Sequence, residues 1–309
     1  MIDISAKLLE NCTICPRECH ANRAMGELGY CRTGNKPLVA SIFLHKGEEP
    51  IFSGEQGICN VFFAHCNLTC IYCQNYQISR NSSFYSYWLQ DYDEIVERIS
   101  AILRTGIRHL GFVSPTHQVV QMVEIIERLK KRGLNPVIVY NTNCYDNIGI
   151  IKALEKYVDV YLPDIKYFSH HLAEDLSNAP NYFTVAMAAL KEMVWQKGTS
   201  IGIGSDGLID SGVVIRHLIL PGHVHDSINI MKHLEEAFSA NLCISLMSQY
   251  YPTGMIEKGH NMDRIITKTE YRSVLDCMKK LGFYRIFAQE LNSNNFYCPD
   301  FDSNIPFTQ

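Results

Sequence analysis

Residues 58–309 predict an α/β fold of repeated βαβ units around a parallel sheet, and three observations carry that prediction. Short apolar runs alternate with longer stretches of helical periodicity. The runs are rich in Val, Ile, Leu and Phe with little polar alternation, as strands covered on both faces require. Each run also ends in polar or conformationally special residues, and chemistry in parallel α/β folds gathers at the carboxyl ends of strands.

The strand candidates are 58–64, 109–113, 136–140, 158–162, 213–220 and 242–247. At their ends stand the Cys66 cluster, Ser114-Pro115-Thr116-His117, Asn141-Thr142-Asn143, Asp164 with Lys166, Pro221-Gly222-His223, and Ser248-Gln249-Tyr250-Tyr251. Helices are expected over 92–105, 119–131, 147–157, 170–196, 226–240 and 267–281. Ile95, Val96, Ile99, Ile102 and Leu103 form one face of the first, and the second stops at Gly133. Six strands suit either an open doubly wound sheet or an incomplete barrel. Residues 1–57 are irregular and Cys-rich, with one strand-like run at 39–45. They read as an extension, and 58–309 as the main domain with a helical C-terminal segment.

The 309 residues are 47% hydrophobic and 19% charged, an ordinary globular composition. Net charge is -4 with no Lys/Arg-rich run, so nucleic acid is not an expected partner. No apolar stretch is long enough to span a bilayer, and the N-terminus has no charged-then-apolar signal region. A cytoplasmic protein without membrane contact is the expectation. Twelve cysteines in such a compartment are not expected to form disulfides. Cys59, Cys144, Cys243, Cys277 and Cys298 are scattered and read as small buried hydrophobes. The other seven form two clusters, for which metal is the natural explanation.

Cys66-Asn67-Leu68-Thr69-Cys70-Ile71-Tyr72-Cys73 places three thiols within eight residues at a strand end. Zinc prefers four ligands in separated pairs, which this is not. Three thiolates can instead hold one 4Fe-4S cluster and leave one iron open, whereas a closed cluster takes four. S-adenosylmethionine (SAM) can chelate that iron through its amino and carboxylate groups. One electron then splits it into methionine and a 5′-deoxyadenosyl radical. Cys66, Cys70 and Cys73 are thus both metal ligands and catalytic residues in this reading.

Cys-x3-Cys-x2-Cys with aromatic Tyr72 before the last Cys resembles the signature of the radical SAM superfamily. More narrowly, the chain resembles the pyruvate formate-lyase activating enzyme-like branch. The resemblance rests on Cys15-Pro16-Arg17-Glu18-Cys19, Glu48-Glu49-Pro50, Phe62 to Cys70 and Cys73-Gln74-Asn75. It continues through Ser114 to His117, Leu162 to Tyr167, Arg216 to Gly222 and Met247 to Tyr250. It implies a partial (βα)6 TIM-like barrel with the cluster at its mouth. By the same resemblance Tyr72 lies against the adenine, and Ser114, Pro115 and Thr116 replace the usual Gly-Gly-Glu that receives the SAM amino group. Asp164 and Lys166 match an Asp-x-Lys that approaches the ribose and carboxylate, a chemically sensible pairing. Asn141 and Tyr250 stand where characterised activating enzymes have Asp and His, departures that bear on a cation site and on the substrate. His117 is a further candidate for contact with SAM or for proton transfer.

Cys12, Cys15, Cys19 and Cys31, spaced x2, x3 and x11, suit a closed four-ligand site holding either structural zinc or an auxiliary iron–sulfur cluster. His65 is expected to orient the cluster loop, and His223 with His225 to face substrate or solvent. The leading functional expectation is an enzyme that abstracts hydrogen from a glycine of a partner glycyl radical enzyme. Radical chemistry on a small molecule or peptide is the second, and a non-catalytic iron–sulfur sensor or binding protein the third. The resemblance implies a flavodoxin or ferredoxin as electron donor.

Overall fold

The computed structural model describes residues 2–307 apart from 86, 254, 292, 294–298, 304 and 305, so Cys298 lies outside the described residues. The strands are β1 (Val39–His45), β2 (Ile58–Phe63), β3 (His109–Val113), β4 (Val137–Thr142), β5 (Val160–Pro163), β6 (Gly202–Ile203), β7 (Ile209–Leu218), β8 (Cys243–Met247) and β9 (Arg285–Ala288). They form one open sheet in the order β1-β2-β3-β4-β5-β7-β8-β9, with β6 paired to β7 off that path. β1 runs antiparallel to β2, and every later step along the path is parallel. The six expected parallel strands are all present. β9 adds a seventh, whose three half-buried residues and exposed Ala288 do not announce it as apolar periodicity.

β2, β3, β5 and β8 are buried at every position, as expected for strands covered on both sides. After the single-turn helices α1 (Pro50–Ser53) and α2 (Tyr76–Ser79), helices α3 (Tyr92–Leu103), α4 (Val119–Lys131), α5 (Ile148–Leu154), α8 (Val224–Phe238) and α9 (Lys268–Lys280) follow the predicted order within a few residues. Asp91 caps α3 by accepting from Asp93 N and Glu94 N, and Thr267 with Glu270 forms a reciprocal cap on α9. The single helix expected over 170–196 is in fact two, α6 (His170–Ser177) and α7 (Tyr182–Lys197). Asn178 takes the left-handed conformation (φ 49°), and Pro180 disfavours helical backbone at Ala179. That break matters, because it presents Ser177 to Cys70 and Asn178 to Arg17 and Tyr30 of the N-terminal segment.

The N-terminal residues share the barrel's core. Ile4, Leu9, Cys12 and Ile14 belong to the same apolar cluster as β2 to β5 and α3 to α5, and β1 extends the same sheet. Beyond β1 the chain dips into the space inside the curved sheet, placing Glu48 and Glu49 there. Glu48 Oε1 accepts from Asn60 Nδ2 of β2 at 2.8 Å. Asn60 sits opposite Gly111 of β3, where an added Cβ would lie 2.2 Å from Asn60 Oδ1. Glycine is therefore required at 111 for a polar side chain to occupy the interior. Gly111→Ala is expected to lower stability by about 1–3 kcal/mol, the usual cost of overpacking, in equilibrium chemical unfolding.

Candidate active site

β2 ends at Phe63, and the chain turns through His65, a non-glycine residue with φ of 66°, into Cys66. His65 is pinned three ways: its N–H donates to Ile78 O, and its ring nitrogens lie 2.9 Å from Cys31 O and 2.7 Å from Ser83 O. The expected orienting role matches these contacts. Asn67, fully buried, donates to Tyr145 O (2.7 Å) and accepts from Asn143 Nδ2 (2.8 Å), tying the loop to the end of β4.

Each of the three sulfurs accepts from at least one donor. Cys66 Sγ receives Leu68 N (3.3 Å) and Asn143 Nδ2 (3.4 Å), Cys70 Sγ receives Ser177 Oγ (2.9 Å), and Cys73 Sγ receives Ser79 Oγ (3.2 Å). Burial pushes the Cys66 thiol up to about 12 and also raises Cys73. Such thiols become thiolates at neutral pH only when a metal displaces their protons. Among the described residues, no three His, Cys, Asp or Glu side chains close around a single-ion position. A cubic cluster places its thiolates at separate corners, wider apart than the ligands of one ion. Three sulfur donors, each with its own hydrogen bond, fit a 4Fe-4S cluster.

Asp164 and Lys166 follow β5 at the same mouth. Their side chains pair at 2.7 Å and are only 23% and 17% exposed, so this is no surface ion pair. Burial opposes the Lys166 charge, but Asp164, Tyr72 and Cys70 outweigh it and hold the ammonium well above its ordinary range. Tyr182 OH, from α7, donates to Asp164 O and Asn143 O and accepts from Lys166 N, locking the β4 and β5 ends together. Tyr72 is buried beside Tyr250, with ring centres 6.2 Å apart, and its hydroxyl accepts from Tyr167 (2.7 Å). The Tyr250 hydroxyl donates to Met262 O, away from the thiols.

Ser114 is half-buried with φ of 54°. Thr116 is buried and donates to Asp146 Oδ1 (2.7 Å), a carboxylate also held by Thr142 and Tyr140. His117 is buried against Ala64 O, and burial lowers it to about 3, so it stays neutral and carries no extra proton near neutral pH. His223 and His225 line a surface depression with His170, His171 and Asp226. Cys59, Cys144 and Cys243 are buried in the apolar interior, and Cys277 is half-buried.

A cavity of about 320 Å³ opens inside the sheet, bounded by both sheet edges and by Asn141, Gln74 and Gln249. Its charged wall is Arg216 of β7, which donates through Nε to Glu49 Oε1 (2.8 Å) and through Nη2 to both Glu48 and Glu49. Burial raises Glu48 on its own account, but Arg216 wins and holds it at about 2. One guanidinium against two carboxylates leaves one negative charge facing the cavity. Along the same wall Gln74 Nε2 donates to the main-chain Gln249 O (2.6 Å), Gln249 Nε2 to Gln74 Oε1 (2.8 Å) and Gln289 Nε2 to Gln249 Oε1 (2.7 Å). Ser79 and Ser177 escape a reading from the chain, because no spacing marks them; Asn143, Glu48, Glu49 and Arg216 stand in stretches the chain singles out, but their contacts are not legible there.

Residues 60–234 match the radical SAM superfamily, more than half of the chain, and the chain belongs to that superfamily. The family implies a 4Fe-4S cluster and SAM as cofactors. An uncharacterized protein of Methanocaldococcus jannaschii is 26% identical over 298 residues, covering 93% of this chain and 79% of that protein. Among solved structures, HydG, a maturase of the FeFe-hydrogenase, is 14% identical with a TM-score of 0.48, over 74% of this chain and 50% of HydG. Methylornithine synthase is 17% identical with a TM-score of 0.48, over 71% of this chain and 62% of that enzyme. This chain thus spans less than two thirds of either solved relative. Among the described residues, no helix is long and apolar enough to cross a membrane.

Arg216→Met is expected to cost about 3–5 kcal/mol at pH 7, because it strands two buried carboxylates. Glu48 is depressed in the folded state, so its contribution is complete above its unfolded value of 4.5 and lost as pH falls towards about 2. The deficit of the variant, measured by chemical unfolding, should therefore shrink across that acid window.

Proposed function

We propose that this chain reductively cleaves SAM to a 5′-deoxyadenosyl radical and directs it at a glycine of a partner glycyl radical enzyme. The observation that carries the first part is the thiol triplet, each sulfur with its own donor, beside the Asp164–Lys166 pair at the mouth of an open parallel sheet. The bound cluster and SAM supply the electron transfer and the bond cleavage. Cys66, Cys70 and Cys73 would hold the cluster, while Ser79, Ser177 and Asn143 favour the thiolate form by donating to sulfur. Lys166 offers an ammonium to the SAM carboxylate, and Asp164 an acceptor to its ribose hydroxyls. The buried Tyr72 and Tyr250 rings give the adenine an apolar wall.

The amide-rich cavity wall favours a peptide substrate, since Gln74, Gln249 and Asn141 match the donors and acceptors of an extended main chain. The unbalanced carboxylate beside Arg216 favours the second reading, a small molecule bearing an ammonium group. A low-potential flavodoxin or ferredoxin would deliver the electron in either case.

Anaerobically reconstituted, dithionite-reduced protein is expected to form 5′-deoxyadenosine from SAM, and Cys70→Ala to form none. No product from a fully loaded wild-type cluster would sink the radical assignment. A glycyl radical signal in a partner protein supports the first substrate, and deuterium transfer from a labelled amine into 5′-deoxyadenosine supports the second. Lys166→Met should weaken SAM binding about 10- to 100-fold by calorimetry, the worth of one charged hydrogen bond.

A further inference from the structure

Among the described residues Arg23 is 1% exposed, yet none of its hydrogen-bond partners is a carboxylate. Its Nη1 donates to His117 O (2.8 Å), its Nε and Nη2 to Gly34 O (3.2 and 2.9 Å), and its Nη1 also lies 3.8 Å from Cys12 Sγ. Carbonyls satisfy its hydrogens but supply no net charge, and a buried cation without an anion costs several kcal/mol. The side chain it reaches belongs to the N-terminal cysteine set.

The four cysteines of that set lie on consecutive turns of one short segment. Local turns bring them together: His20 N donates to Cys12 O, Glu18 N to Cys15 O, and Arg32 N to Gly29 O. An added Cβ on Gly29 would lie 2.2 Å from Cys19 Sγ, so that glycine makes room for the sulfur two residues before Cys31. Cys12, Cys15 and Cys31 are buried, whereas Cys19 is exposed at the outer edge.

We propose that Cys12, Cys15, Cys19 and Cys31 hold a second iron–sulfur cluster, a closed four-thiolate cubane whose negative charge Arg23 balances. A dicationic 4Fe-4S core with four thiolates carries two negative charges, the anion that Arg23 lacks. Zinc with four thiolates has the same charge, but it draws its sulfurs to about 2.3 Å of one centre. Zinc also carries no electron, and the contacts of this loop with the Cys66 loop favour a redox-active centre.

The second cluster adjoins the first. Cys31 O contacts the ring of His65, next to Cys66, and Tyr30 O accepts from Asn81, whose Oδ1 in turn accepts from Cys66 N (3.0 Å). Tyr30 OH lies 3.0 Å from Thr69 Oγ1, and Arg17 Nε donates to Asn67 O (2.9 Å). The two cysteine loops are laced together, so two reduced clusters should show magnetic interaction.

The test is iron, sulfide and zinc analysis with electron paramagnetic resonance on the full chain, reconstituted anaerobically. The proposal expects about eight irons per chain, four for each cubane, with spectra broadened by spin coupling when both are reduced. A Cys12→Ser/Cys15→Ser variant should fall to about four irons and lose the broadening. Cys66→Ser/Cys70→Ser should likewise keep about four, which separates this proposal from the fate of the SAM-binding cluster. Arg23→Gln should lower the reduction potential of one cluster only, since a positive charge stabilises its reduced form. About four irons with one zinc, or four irons and no further metal, in the wild-type protein would overturn the proposal even if no variant folds.

Discussion

A buried guanidinium between two carboxylates ties the N-terminal segment to the interior of the sheet. Arg216 projects from β7, Glu48 and Glu49 from the connection after β1, and Asn60 of β2 completes the set. Removing Arg216 leaves two carboxylates in a medium that solvates them poorly. The triad therefore sets where the extension enters the barrel and makes Gly111 necessary. It also leaves the cavity with one negative charge and a polar wall. The two edges of the open sheet face one another across this polar layer instead of closing by strand pairing.

The cysteine loop depends on the same framework. Its backbone is fixed by His65 and Asn67, and its sulfurs are met by side chains from three other places in the chain. Ser79 follows the loop, Asn143 ends β4, and Ser177 ends α6. A parallel sheet brings these ends to one rim, so a metal site assembled there draws on several crossovers at once. Asp146, buried among Thr116, Thr142 and Tyr140, stiffens the neighbouring strand ends and has no path to solvent. His117 belongs to the same supporting layer.

Much of this was legible along the chain. Apolar runs without alternation marked β2 to β5, β7 and β8, because strands covered on both faces exclude polar residues. The thiol triplet was legible because a cluster demands a fixed spacing within one loop. β9 was not, being short and half-buried, and the break between α6 and α7 depended on one left-handed Asn and one Pro within an otherwise helical pattern. The roles of Ser79, Ser177 and Asn143 were hidden for a different reason. A hydroxyl or amide that donates to sulfur needs only the right distance, and distance across crossovers leaves no mark on spacing.

The chain by itself determined the class of fold, the alternation of strands and helices, and the three thiols that leave β2, because periodicity and short-range ligand spacing are local properties. Tertiary structure alone decided which donors face those thiols, that Asp164 and Lys166 are enclosed, and that His117 is sealed in a neutral state. It also decided that Arg216 meets two glutamates and that Arg23 lies buried against Cys12 with no carboxylate among its partners. Charge balance and solvent exclusion depend on contacts such as that of Arg216 with Glu48, 168 positions away, which only the folded sheet makes.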